Sequence, residues 1–412
     1  MLSPYRVLDL TNERGLLAGQ MLADLGADVI QVEPPGGSSA RRLGPYYHDE
    51  EGPEKSLYWW AYARNKRGIT CDLEAADGQA LLKRLAENAD FVIESEMPGV
   101  MASRGLGYQD LAAINPRLVY VSITPFGQDG PKAHYADCDL ILVAAGGPLF
   151  LAGDPDRAPV RVSVPQAYHH ASADAAGAAL IAHRERQRSK QGQHVDVSAQ
   201  QSVAQATMAA VLAKPLGDAE TVRSSGGLVF GGLRIRFIWP AKDGHVSITH
   251  LFGTAIGPFT RRLMEWIYEE GGCDEATRDK DWLAYAQLLL SGEEPVAEFE
   301  RVKQVIAAFT STKTKAELFE AAQQRGLLIV PITTLQEVSE SPQLADRGYW
   351  RDLKHPEVND TVRYPGPFVR YSNQPMADGR RAPLIGEHNA EVYGELGLSD
   401  GELAELRTKG VL

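Results

Sequence analysis

The stretch RVSVPQAYHHASADAAGAALIAHRERQRSKQGQHVDVS, residues 161–198, decides how the chain is read. An extended Val-Ser-Val segment ends at Pro165. A small-residue helix follows, with Ala171, Ala175, Ala178, Ala179 and Ala182 beside Leu180 and Ile181. A polar, basic turn, RERQRSKQGQ, then leads into a strand at residues 194–197. Alanines at this density let a helix approach its neighbour closely, because little side chain separates the two axes. Taken alone they describe a buried core helix.

The same alternation runs through the preceding chain. An apolar run at residues 5–10, helical spacing at 16–25 and a strand pattern at 28–33 make a βαβ unit, which implies a parallel sheet. A helix at 75–87 and a strand at 90–94 repeat the unit, and INPRLVYVSITPFGQDGP (114–131) is a strand running into a Gly/Pro loop. Gly15 and Gly19 flank the first helix start without forming GxGxxG, so no dinucleotide site is indicated. After another alanine-rich helix at 200–212 the composition shifts near Gly226. SSGGLVFGGLRIRF is glycine-rich, the composition of a linker, and WPAKDGHVSI reads as a hairpin turning at Asp243-Gly244. Amphipathic helices follow at about 253–269, 282–290, 296–309 and 315–325.

With 412 residues the chain is too long for one ordinary core and implies two lobes. At 44% hydrophobic and 23% charged residues it is an ordinary globular composition. A net charge of -12 argues against a nucleic-acid partner, since phosphate binding needs a basic face. No apolar run has the roughly 18 residues of a membrane helix. The opening MLSPYRVLDL has no signal-peptide layout, so the expected compartment is the cytoplasm. Cys71, Cys138 and Cys273 lie too far apart for a disulfide framework or a zinc site, and no metal is expected.

A Val-Pro pair, an alanine-rich helix, Arg-Glu-Arg and then Gly-Gln-x-Val-Asp-Val-Ser together resemble the middle of the family III CoA-transferases. That group includes formyl-CoA and carnitine-CoA transferases and, as a side branch, the alpha-methylacyl-CoA racemases. The opening VLDLTxxxxxxAGQMLADLGADVIQVEPPGG is similar to the family's, as are SPQLADRGYW, HPEVNDTVRYPGPFVRYS and RAPLIGEHNAEVYGELGLSD near the other end. The resemblance implies an α/β fold: a Rossmann-like large domain from residues 1–224 and 331–412, and a smaller α+β domain at 225–330. It further implies ring-shaped monomers that interlock as a dimer, homomeric or heteromeric. Coenzyme A and acyl-CoA are then substrates, with no permanently bound cofactor.

The resemblance also places the CoA site. Arg41 and Arg42 lie in the loop PPGGSSARRLGPY, and Lys66, Arg67 and Cys71 lie in ARNKRGITCDL. Read alone, these cations describe a solvated face; in the family the loops line the CoA site. In ESEMPGVMASRGLGY, Pro98, Gly99 and Arg104 keep the family pattern, but Ser95 and Glu96 replace the usual Asn and Phe. An acidic Glu96 is unfavourable near a phosphate-rich ligand.

The departure that matters most is at the nucleophile. In the transferases an aspartate attacks the donor thioester to give a mixed anhydride, and the released CoA thiolate then attacks the enzyme's acyl carbon to give an enzyme-CoA thioester. Counting forward from Pro165 and back from Gln193 both arrive at Tyr168. A phenol has no acyl carbon and, with an unperturbed pKa of about 10, is neutral at pH 7. Asp174 lies roughly 240° around the helix and about 9 Å along it, facing elsewhere. His169 and His170 diverge as adjacent helical residues; either is an acid/base candidate or a structural hydrogen-bonder. The racemase chemistry needs a His and an Asp, and those positions hold Cys138 and Tyr168, while Asp139 matches a family aspartate. No catalytic residue is therefore assigned beyond Tyr168, with His169 its neighbour.

The expected activity is CoA transfer between an acyl-CoA and a carboxylic acid. This chain would be the nucleophile-lacking subunit of a heteromer whose paralogous partner carries the aspartate. The benzylsuccinate CoA-transferases, built from two different family III subunits, are the precedent the resemblance supplies. The alternatives are a stand-alone homodimer, transferase or racemase, with a non-standard site, and a non-catalytic acyl-CoA-binding regulator.

Overall fold

A computed structural model describes all residues apart from 214, 218–220, 374, 375, 377 and 378. The chain forms two compact units. The larger holds Met1–Phe150, Arg161–Glu220 and Gln343–Leu412, and the smaller holds Leu151–Val160 and Thr221–Pro342. The return to the larger unit falls at 343, later than the 331 read from the sequence. The Ile329–Pro331 strand pairs with Gly244–Ile248 in the smaller unit's sheet, and Lys315 of that unit holds the Ile332 carbonyl and Glu337 beyond it.

The larger unit is built on six strands: β1 (Arg6–Asp9), β2 (Asp28–Glu33), β3 (Arg67–Thr70), β4 (Phe91–Glu94), β5 (Val119–Thr124) and β6 (Gln193–Ser198). Their order is β3-β2-β1-β4-β5-β6 and every pairing is parallel. Strands β4 and β5 are buried along their whole length, as expected of a parallel sheet covered on both faces. One face carries the Ala167–Ser189 helix, whose Ala171, Ala175, Ala179 and Ala182 form a buried stripe at helical spacing. That stripe packs with Ala18, Leu22 and Ala23 of the Leu16–Asp24 helix, the close approach the alanines imply. The other face is closed by Leu81, Leu82 and Leu85 together with Val392, Tyr393 and Leu403 from the far end of the chain.

Beneath the first helix lies a buried ion pair. Lys66 Nζ donates to Asp9 Oδ2 (2.8 Å), to the Leu16 carbonyl (2.9 Å) and to Gln31 Oε1 (2.9 Å), which uses all three ammonium protons. Asp9 Oδ1 accepts from the Thr11 amide (3.0 Å) and hydroxyl (2.6 Å). Burial pulls the Lys66 pKa below its usual value against the opposing pull of Asp9. Gly19 is what makes room: a Cβ there would stand 1.8 Å from Asp9 Oδ2 and 3.2 Å from Lys66 Nζ. Gly19→Ala is therefore expected to lower the unfolding free energy by about 1–3 kcal/mol, the usual cost of overpacking, read from a urea midpoint. An unchanged midpoint would show that this carboxylate can move.

The smaller unit has an antiparallel sheet in the order Ile329–Pro331, Gly244–Ile248, Ile238–Ala241. Helices Gly253–Glu269, Tyr285–Ser291, Val296–Thr310 and Lys315–Arg325 belong to the same unit. Its core centres on Trp239, Trp282, Tyr285 and Phe299. The glycine-rich stretch forms a β-hairpin. Gly227–Phe230 pairs with Leu233–Arg236, and Gly231 and Gly232 turn between them at φ 56° and 80°, values that glycine tolerates.

Candidate active site at the sheet switch point

In a doubly wound sheet, ligands bind beyond the carboxyl ends of the strands where the strand order reverses. Here that point lies between β1 and β4. The loop after β1 is Leu10-Thr11-Asn12-Glu13-Arg14, and the residues after β4 are Ser95 and Glu96. The two are tied together. The Ser95 hydroxyl accepts from the Asn12 amide and donates to Asn12 Oδ1, both at 3.1 Å, and the same Oδ1 accepts from the Arg14 amide (3.1 Å). Ser95, expected to contact CoA, is buried and holds the switch-point loop in shape.

The loop delivers Arg14 to Tyr168. Arg14 Nη2 pairs with Asp137 Oδ1 at 2.8 Å, and the Tyr168 hydroxyl donates to Asp137 Oδ2 at 2.5 Å. Two residues further on, Asp139 Oδ1 accepts from the backbone amides of Gln166 (2.6 Å) and Ala167 (2.8 Å). It thus satisfies amides at the start of the Ala167–Ser189 helix, which has no side-chain cap of its own. This anchoring places Asp137 against the first turn and so against Tyr168. Burial, then the hydrogen bond to Asp137, push the Tyr168 phenol far above its ordinary pKa. Burial opposes charge on Arg14, but the facing Tyr168 and Asp137 outweigh it and hold that guanidinium above its usual value. The result is a neutral phenol, a carboxylate with a donor on each oxygen, and a guanidinium.

His169 turns away from this cluster. Its Nδ1 lies 2.9 Å from the Pro165 carbonyl and its ring packs on Tyr62, with centroids 4.7 Å apart. Burial lowers its pKa. Asp174 accepts from Gln205 at 3.1 Å, facing another helix as its angular offset required. Cys138 is exposed.

Several cations expected at CoA are instead committed within the fold. Arg41 is buried between Glu33 (2.6 Å), Glu54 (2.7 Å) and the Pro383 carbonyl (2.9 Å). Lys66 is the buried partner of Asp9. Arg67 joins Asp28 (2.6 Å) to Glu391 (2.8 Å) and Glu395 (2.7 Å). Donors committed to carboxylates in this way are not available to a phosphate. Cys71 gives its thiol to the Gly78 carbonyl, and burial pushes it up to about 12, so it carries no thiolate at pH 7. Arg104 pairs with Glu74 and stands 3.6 Å from Glu96, so the acidic side chain at 96 faces a cation rather than open solvent alone. Arg42 is exposed, and its guanidinium has no partner among the described residues.

Asn12, Arg14 and Asp137 went unrecognised in the sequence. The signal available for the first two was their place directly after β1. For Asp137 it was proximity to Asp139, although no spacing rule links it to Tyr168.

Glu94, the last residue of β4, adds a titratable group below the loop. It is 3% exposed, and Oε2 accepts the Glu96 amide at 2.7 Å. Burial pushes its carboxyl up to about 7, against the pull of Ser122 and of that amide. A folded-state pKa above the unfolded one means folding takes up a proton. The stabilisation is full below about pH 4.5 and is lost as pH rises through 7. Relative to Glu94→Gln, the protein is expected to lose about 3 kcal/mol between pH 4.5 and 8, checked by urea midpoints at the two pH values. Parallel pH profiles for the two proteins would contradict this.

A parallel six-stranded sheet with a polar side-chain cluster at its switch point defines an α/β protein of the doubly wound kind, and the family follows from comparison. The chain belongs to CoA-transferase family III, whose model matches residues 2–389, and so to a family of CoA-transferase enzymes. It is 35% identical to the succinyl-CoA:(R)-benzylsuccinate CoA-transferase subunit BbsE of Thauera aromatica, over 100% of this chain and 98% of that one. It is 33% identical to the succinyl-CoA–D-citramalate CoA-transferase of Chloroflexus aurantiacus, again over 100% and 98%. Among solved structures, a CAIB/BAIF family protein from Brucella suis superposes with a TM-score of 0.83 at 27% identity, covering 96% of this chain and 99% of that one. No helix among the described residues is long and apolar enough to cross a membrane.

Proposed function

We propose that this chain is the supporting subunit of a heteromeric CoA-transferase that moves CoA from succinyl-CoA to a carboxylic acid, and that a paralogous partner carries the acyl-bearing nucleophile. The observation that carries this reading is the Tyr168 hydroxyl donating to Asp137 at 2.5 Å, a proton-bearing phenol where the family pattern has its carboxylate. Both curated relatives described above are named for succinyl-CoA, and one of these is named as a subunit. Exposed apolar side chains support a partner contact: Met208, Val211 and Leu212 of the Met208–Ala213 helix are each about 60% exposed. Unpartnered apolar side chains of that kind favour burial between subunits.

The test is expression alone and with an Asp-bearing family III subunit, assaying transfer from succinyl-CoA to a dicarboxylate. Inactivity alone and activity together is the expected result. Light scattering should give an assembly of about twice the chain mass in either case. A concentration-independent monomer would remove the interlocked-dimer architecture. CoA binding without activity in any pairing would leave an acyl-CoA-binding regulator in place of an enzyme subunit.

A second reading rests on Asp137, a carboxyl within 2.5 Å of the Tyr168 hydroxyl. In a stand-alone homodimer Asp137 would be the attacking group. Against it, both carboxylate oxygens hold donors, which lowers their nucleophilicity, and the side chain is 5% exposed. Activity of the isolated chain that Asp137→Asn abolishes would establish this reading.

A further inference from the structure

We infer that the larger unit carries a second ligand site, separate from the switch point, for a phosphorylated aromatic ring of the nucleotide kind. The site is a cavity of about 570 Å³, within the size range of small-molecule pockets, formed where the chain passes through residues 344–351 and 367–371. Arg347, Arg351 and Arg370 line it together with Tyr349, Phe368 and Tyr371, and no Asp or Glu does so among the described residues.

Two of the arginines are oriented by backbone carbonyls, and none of the three is paired with a carboxylate among the described residues. Arg351 Nη1 donates to the carbonyls of Gly348 (2.6 Å) and Trp350 (2.9 Å), and Arg370 Nη1 to the carbonyl of Arg347 (2.9 Å). The Arg347 guanidinium has no partner among the described residues. A carbonyl removes no charge, and each guanidinium has five N–H donors, so most remain free. Elsewhere in the larger unit the well-buried arginines are paired: Arg41 with Glu33 and Glu54, Arg67 with Asp28, Arg186 with Asp90. In a chain of net charge -12, three guanidiniums with no carboxylate partner among the described residues form a local positive well around one cavity. Guanidinium geometry suits phosphate, where two N–H groups meet two oxygens. The rings of Tyr349, Phe368 and Tyr371 supply flat apolar surface beside those donors, against which a base can stack. Multiple negative charge on one end and a planar ring on the other is the chemistry of a nucleotide. That nucleotide can be the head of CoA itself or a free molecule, and the site reads the same features in both.

The test uses the full-length protein, alone and with any partner needed for activity. Calorimetric titration with adenosine 3′,5′-bisphosphate, against adenosine as the uncharged control, is expected to show saturable, salt-sensitive binding for the first and none for the second. Arg347→Gln and Arg370→Gln should each weaken binding by roughly tenfold or more, the effect of losing a charge-assisted hydrogen bond. Arg347 is exposed and its side chain makes no hydrogen bond or ion pair among the described residues, so its variant is expected to keep the structure. If the variants also raise KM for acyl-CoA, the occupant is the CoA head. If they abolish nucleotide binding with KM unchanged, it is a free nucleotide. Absence of binding, binding that both variants leave unaltered, or variants that instead dissociate the subunits would overturn the inference, the last by making this cavity part of a subunit contact. Arg14→Ala should reduce transfer without changing nucleotide affinity, so failure of this site and failure of the proposed transfer reaction give different results.

Discussion

Hydroxylamine trapping of the active enzyme after incubation with acyl-CoA is expected to leave every peptide of this chain unlabelled and to label the partner subunit. The chemistry is all-or-none. An enzyme-CoA thioester needs an acyl carbon on the enzyme, and Tyr168 has none. Deprotonation would not rescue it. A phenolate attacking the donor would take the acyl group as an ester and release CoA, leaving CoA with nowhere to attach. Nor is the phenolate accessible, since burial and the bond to Asp137 hold the proton in place. Tyr168→Asp is the complementary variant. It restores an acyl carbon at the matching position beside Arg14, and a label at residue 168 should appear. The new carboxylate will also face Asp137, so one of the pair should titrate above the ordinary range. A label on Asp137 in the unaltered chain would replace the supporting-subunit reading with the stand-alone one, and a label on Asp174 would show a carboxylate that reaches the site only after the helix moves.

Lys66→Met is expected to destabilise the fold by about 3–5 kcal/mol, the cost of leaving a buried charge without its partner. Asp9 would keep its Thr11 donors but lose the ammonium, and both side chains are fully buried in the native state. A loss of that size should appear as a fall in Tm of roughly 6–20 °C. The double variant Asp9→Asn with Lys66→Met removes both charges and should recover much of the loss, because a buried ion pair is worth little against neutral groups of similar shape. The same experiment decides the residue's role. A phosphate ligand would lose CoA affinity and leave stability untouched; the buried pair predicts the reverse. Full stability with weakened CoA binding would show that Lys66 leaves its pocket when ligand is present.

How far the chain could be read without its fold follows from the range of the forces involved. Period and composition are local, and they were enough for the parallel sheet and its alternating helices: residues 28–33 read as a strand and are one, and the alanines of the 167–189 helix form the stripe their spacing describes. The tyrosine at position 168 was equally legible, because it is a matter of residue identity at a counted position. The role of each cation was not. Arg41, Lys66 and Arg67 stand in loops of the kind that bind phosphates, and sequence shows no carboxylates that would claim them. Those carboxylates are Glu33, Asp9, Asp28, Glu391 and Glu395, brought alongside by strand pairing and by the return of the C-terminal segment. Whether a charge faces water or a partner is a property of burial, which only the packed sheet sets. The same holds for the site. Asp137 and Tyr168 lie 31 residues apart. They meet because Asp139 satisfies the first amides of a helix, a hydrogen bond whose partners no local pattern connects.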